Sequence, residues 1–118
     1  MRINNIGFKH AIRGIIVALQ TELNMKIHVI SMLIVIFTGF MLKVTVVEWL
    51  FLIGAIGLVI TTELVNTSIE NITDQLFKGH HEVAKNIKDI SAGAVLVASI
   101  TAAIIGIVIL LPRIVIFF

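Results

Sequence analysis

From Ile90 to Pro112 the chain runs for 23 residues without a charged side chain. A helix needs about 20 predominantly apolar residues to cross a bilayer, so this segment alone is long enough. Two further stretches lack Lys, Arg, Asp and Glu, from Ile27 to Leu42 and from Trp49 to Thr62. The first is short, but Lys43 can snorkel and let Val44–Val47 contribute. Trp49 sits where an interfacial aromatic is expected. The resulting spans are about 27–47, 49–69 and 90–112. Only 14% of the 118 residues are charged, against about 25% in soluble domains, so the bilayer is the expected solvent.

Residues 7–24 read as an amphipathic surface helix ahead of the spans. Phe8, Ala11, Ile12, Ile15, Ile16, Leu19 and Leu23 share one helical face, and such a basic helix commonly lies in the headgroup layer. The opening stretch MRINNIGFKHAIRG lacks the apolar core and cleavage site of a signal peptide, so this helix is expected to be retained. The expected fold is thus all-α and integral to the membrane, one domain over residues 1–118. Three spans are little material for a closed site, so self-association is expected.

Lysine and arginine set the orientation. Arg2, Lys9, Arg13 and Lys26 precede span one, and Lys78, Lys85 and Lys88 lie between spans two and three. Only Lys43 and Arg113 fall on the other side. The positive-inside rule puts the larger group, and with it the N-terminus, in the cytoplasm.

Three polar clusters then reach the same membrane boundary. Glu63, Asn66 and Glu70 follow the second uncharged run at offsets of three and seven, which places them on one helix face. Carboxylates at such depth are costly and mark functional positions. A structural polar lock between helices is the plainer reading. The second cluster is Glu22, Asn24 and His28. The third is His80, His81, Lys85, Lys88 and Asp89.

Carboxylates and lysines at a water–lipid boundary suit phosphoryl transfer from a nucleotide to a lipid alcohol. Magnesium takes oxygen ligands, usually one or two carboxylates plus phosphates, and Glu22 and Glu70 could supply them. Lys88 is placed to neutralise phosphate charge. Glu63, deeper by about two turns, could serve as the base for the acceptor hydroxyl. Duller readings accompany each. Glu82 and Lys85 are spaced as a helical ion pair, Asp74 could end span two, and His10 belongs to a polar helix face. His80 and His81 point apart on a helix, with no third ligand nearby, so zinc is not expected. Cysteine is absent, which removes thiolate chemistry. No G-x-x-x-x-G-K-[ST] loop or protein-kinase motif occurs. Ala94, Ala98, Ala102 and Gly106, at four-residue spacing, read as a helix-packing seam.

The segment E-L-V-N-T-S-I-E-N-I-T-D, Glu63 to Asp74, resembles the signature of the small prokaryotic diacylglycerol kinases, a family of integral membrane lipid kinases. Glu22 upstream and Lys88–Asp89 followed by A-G-A-V-L downstream fall in that family's order and spacing. The resemblance implies a homotrimer with a surface helix and three spans per subunit, and active sites between subunits in a bacterial plasma membrane. It also implies Glu63 as catalytic base, Glu22 and Glu70 as ligands of the Mg2+ that accompanies ATP, and Asn66, Lys88 and Asp89 as further active-site residues. His81 then falls in the nucleotide-contacting loop. The run E-L-N-M-K-I-H, Glu22 to His28, is similar to the Gram-positive branch, whose members phosphorylate undecaprenol. Asn24 and His28 are the positions that carry this distinction, and both are expected near the lipid substrate. A diacylglycerol acceptor is the alternative. A small channel or proton-coupled transporter is another, and it leaves Glu22, Glu70 and the lysines without a shared purpose. A nucleic-acid partner is not expected.

Overall fold

Residues 3–118 are described by a computed structural model of the protein. Their helices are α1 (Ile3–Thr21), α2 (Leu23–Met41), α3 (Val46–Leu76) and α4 (Glu82–Phe117). The last three are long and apolar enough to cross a membrane. At 1.5 Å per residue, α3 and α4 reach about 46 and 54 Å, beyond the ~30 Å hydrocarbon thickness. Their polar ends therefore continue past the apolar runs as helix. The stretch left between the second and third expected spans, residues 70–89, shrinks accordingly to a connection of residues 77–81, where Gly79 takes the left-handed φ of +77° that the turn requires.

Three boundaries differ from the expected ones. The surface helix was expected to reach Asn24, but Glu22 is extended (φ −113°, ψ 121°) and breaks it from α2. The Glu22 side chain does not cap α2, and Lys26 instead donates to the Gln20 carbonyl at 3.1 Å, holding the elbow. Next, α2 stops at Met41, so Val44–Val47 do not lengthen it. Lys43 adopts φ 54°, a left-handed helix stop. Thr45 and Glu48 then form a capping box that starts α3: the Glu48 N–H donates to Thr45 Oγ1 and the Thr45 N–H to Glu48 Oε1. Finally, α4 passes through Pro112 to Phe117, although a proline there removes one backbone donor and crowds the carbonyl one turn back.

Helices α3 and α4 pack as an antiparallel hairpin clasped at both ends by ion pairs. Arg113 donates to both Glu48 oxygens at one end. At the other, Lys88 Nζ donates to Asp74 Oδ1 at 2.8 Å. Helix α2 leans on α3 beside the 42–45 turn, where Gly39 admits the Trp49 indole. A Cβ on Gly39 would lie 2.6 Å from Trp49 Cη2.

The buried apolar set is small: Ala18, Met25, Val44, Leu52, Ala55, Val59, Ala84 and Ala98 among the described residues. Most large apolar side chains, including Phe8, Ile12, Ile15 and Ile16 of the α1 stripe, are exposed. Apolar exposure of this extent requires an apolar surrounding, lipid or another subunit. The small-residue seam contributes less helix contact than its spacing suggests. Ala98 is buried, but Ala94 is exposed, and a Cβ at Gly106 would touch nothing. Ala102 and Gly106 instead line an apolar cavity of about 620 Å³ between α2, α3 and α4.

Candidate active site

Helical periodicity does bring the α3 polar residues onto one face, and that face is turned inward. Glu63 is 2% exposed, Asn66 4% and Thr67 6%. Glu63 ranks with Met25 and Leu52 as the most completely buried large side chains among the described residues. One turn further, Glu70 is half-buried and its Oε1 accepts from Asn66 Nδ2 at 2.6 Å. The amide is thereby oriented with its own oxygen free. Glu63 Oε2, Asn66 Oδ1 and Thr67 Oγ1 are all buried without a hydrogen-bond partner. An orphaned buried polar group costs about 1–3 kcal/mol, and more when charged. Three on adjacent turns of one helix call for an explanation outside folding.

The elbow between α1 and α2 faces this cluster. Glu22 and Glu70 both lie within electrostatic reach of Glu63. His28, on the second turn of α2, places Nε2 4.0 Å from Glu63 Oε2. Asn24 is exposed on the first turn, and among the described residues no hydrogen bond ties it to the cluster.

Beside the carboxylates lies a second, polar cavity of about 210 Å³ at the 77–81 turn. It gathers His81, Lys88 and Asp89 with Asp74, Phe77 and Lys85. Phe77 and His81 stack with ring centroids 4.7 Å apart. Lys88 links the two regions. It is bonded to Asp74 and also feels the charges of Glu70 and Asp89. It precedes the apolar run that opens at Ile90, and the Asp74 hydrogen bond holds its ammonium pKa above the ordinary value. Lys88 therefore stays cationic at neutral pH.

Two expected pairings change here. Lys85 does not pair with Glu82 but with Asp89, at 2.7 Å and four residues on. Glu82 stands in the first turn of α4, where a carboxylate is favoured by the helix dipole without any partner. Asp74 does not end α3, which continues to Leu76. It meets Lys88 across the turn, a pairing whose sequence signal is opposite charges on either side of Gly79. Thr67 was not singled out from sequence, because a lone threonine in a helix carries no signal of its own.

The donor set fits a divalent cation in one respect. Glu22 and Glu70 supply hard oxygens, and the free oxygens of Glu63 and Asn66 lie in the same cluster. Among the described residues no three His, Cys, Asp or Glu side chains are close enough to hold a metal alone. An ion there must complete its shell with phosphate oxygens and water, as magnesium commonly does. The larger cavity is nearly all apolar, and His28 marks where it meets the acidic cluster.

The sequence profile of prokaryotic diacylglycerol kinase matches residues 9–110. Undecaprenol kinase of Bacillus subtilis is 38% identical over 91% of this chain and 87% of its own length. Diacylglycerol kinase of Synechocystis is 36% identical over 91% of this chain and 62% of its own. Diacylglycerol kinase of Escherichia coli K12 is 28% identical over 86% and 88%. With the acidic face of α3, the Glu22 elbow and the Lys88–Asp89 pair all inside the matched region, the chain belongs to the prokaryotic diacylglycerol kinase family of membrane lipid kinases.

Proposed function

We propose that this protein phosphorylates undecaprenol at the inner face of a bacterial plasma membrane, using ATP and magnesium. The observation that carries the reading is Glu63: a fully buried carboxylate with one unpartnered oxygen. Its neighbour His28 lines an apolar cavity of about 620 Å³, and a separate charged pocket lies at the 77–81 turn.

The roles follow from position. Glu63 accepts the proton of the acceptor hydroxyl as that oxygen forms its bond to the γ-phosphorus. The bond from the γ-phosphorus to the bridging oxygen breaks, and ADP leaves. Asn66 is held by Glu70 with its oxygen toward the reacting groups. Lys88, Asp89 and His81 form the nucleotide side, where a permanent lysine charge offsets the phosphates. Glu22 and Glu70 would hold the magnesium, which neutralises phosphate charge when bound. His28 and Asn24 border the acceptor. The N-terminus and the 77–81 turn face the cytoplasm, in keeping with the lysines and arginines on that side. Helix α1 rests its exposed apolar stripe in the headgroup layer, and a homotrimer covers the apolar faces that one chain leaves open.

Diacylglycerol is the second acceptor reading, since two of the relatives carry that name. Purified protein given radiolabelled ATP and each lipid in turn separates the readings by kcat/KM. The proposal expects the higher value with undecaprenol. A higher value with diacylglycerol reassigns the acceptor, and label in neither lipid removes the kinase.

A further inference from the structure

The Glu63 carboxylate has no hydrogen-bond donor for Oε2, yet one side chain points a nitrogen at it. His28 Nε2 stands 4.0 Å from that oxygen. The gap is too wide for a direct hydrogen bond, and it is closed by a small rotation or a single bridging water. Catalytic contacts are often long before substrate arrives.

The surroundings leave His28 without a competing partner. From α3 the charged group that faces it is Glu63, and Glu70 and the elbow's Glu22 lie within electrostatic reach of that carboxylate. On α4, Lys88 is engaged by Asp74, with Glu70 and Asp89 its other charged neighbours. His28 also lines the apolar cavity, where the other lining groups are aliphatic or small, Ser31 and Ser99 included. It is thus the one imidazole at the junction of the cavity and the buried base, among the described residues.

We infer that His28 is a positioning residue that, through a water donating to both Glu63 Oε2 and His28 Nε2, orients Glu63 and then takes the proton Glu63 has removed from the acceptor. This rests on the reading of Glu63 as base. Transfer leaves the Glu63 carboxyl protonated; its O–H bond breaks as the bridging water takes that proton, and one of the water's own O–H bonds breaks as Nε2–H forms. The product is a carboxylate beside an imidazolium, which passes its proton to water at the polar edge. Without His28, Glu63 is slow to return to its ionised form after each turnover.

The test uses the intact membrane protein in detergent or bilayers. In His28→Gln, kcat falls by roughly 10–100-fold, less than the 10²–10⁴ expected when the base itself is lost. KM for the lipid moves far less, which separates this role from simple contact with the acceptor. The wild-type rate declines at acid pH as the imidazole fills with protons, and His28→Gln loses that limb. His28→Ala provides an independent check, because added imidazole restores part of its rate. An unchanged kcat and pH profile in His28→Gln, or no imidazole response in His28→Ala, overturns the inference. If Glu63→Gln is inactive while His28→Gln behaves as wild type, the base stands and only the histidine role fails. If Glu63→Gln keeps full activity, the underlying reading fails instead.

Discussion

Asn66 donates its amide to Glu70 and so keeps its own oxygen free on the buried face that it shares with Glu63. Their shared face was legible because a period of 3.6 residues maps offsets of three and seven to one side. Burial was not legible, since it depends on what α2 and α4 lay against that face. The same holds for Lys88: opposite charges 14 residues apart became a pair only because the chain reverses at Gly79. The choice of Asp89 over Glu82 by Lys85 was open from sequence, both spacings being compatible with a helix. Glu70 supports a specific expectation. Glu70→Gln keeps an oxygen for the Asn66 amide but removes a negative charge from the proposed cation site. The magnesium concentration for half-maximal activity should rise by roughly tenfold, equivalent to about 1.4 kcal/mol. An unchanged magnesium requirement would take Glu70 out of the ligand set.

Helix identity was readable and helix ends were not. Uncharged runs mark what lies in lipid, whereas the helices stop where the turn chemistry stops them. T-V-V-E at Thr45–Glu48 is a capping box whose pattern lies within the apolar stretch read as the end of the first span. The left-handed turn at Lys43 carried no such signal, because glycine or asparagine is the usual residue there. Pro112 suggested an end that tertiary contact with Glu48, through Arg113, carries past. The same outer end depends on Gly39. Any Cβ there meets the Trp49 ring at 2.6 Å, and Trp49 is already packed on Phe40 with centroids 4.8 Å apart. Gly39→Ala should therefore displace the indole and destabilise the α2–α3 contact by about 1–3 kcal/mol, the usual cost of overpacking. A lowered Tm in detergent checks this. A Tm equal to wild type would show that the turn absorbs the methyl group without strain.

For the molecule as a whole, two ends with different tasks emerge. The end with Glu48, Arg113 and Trp49 is a structural clasp. The other brings the elbow of α1 and α2, the buried face of α3 and the first turns of α4 to one place. Between them, a modest apolar core and many exposed aliphatic side chains mean that lipid or neighbouring subunits finish the packing. The proposed role gives the buried Glu63 carboxylate a reason in reaction rather than stability. The most direct measurement compares wild type with Glu63→Gln for transfer of labelled γ-phosphate to undecaprenol, with nucleotide binding and oligomer size recorded on the same samples. Binding and assembly should be retained while kcat falls by about 10²–10⁴-fold, the contribution of a positioned base. Transfer at the wild-type rate by Glu63→Gln would contradict the account.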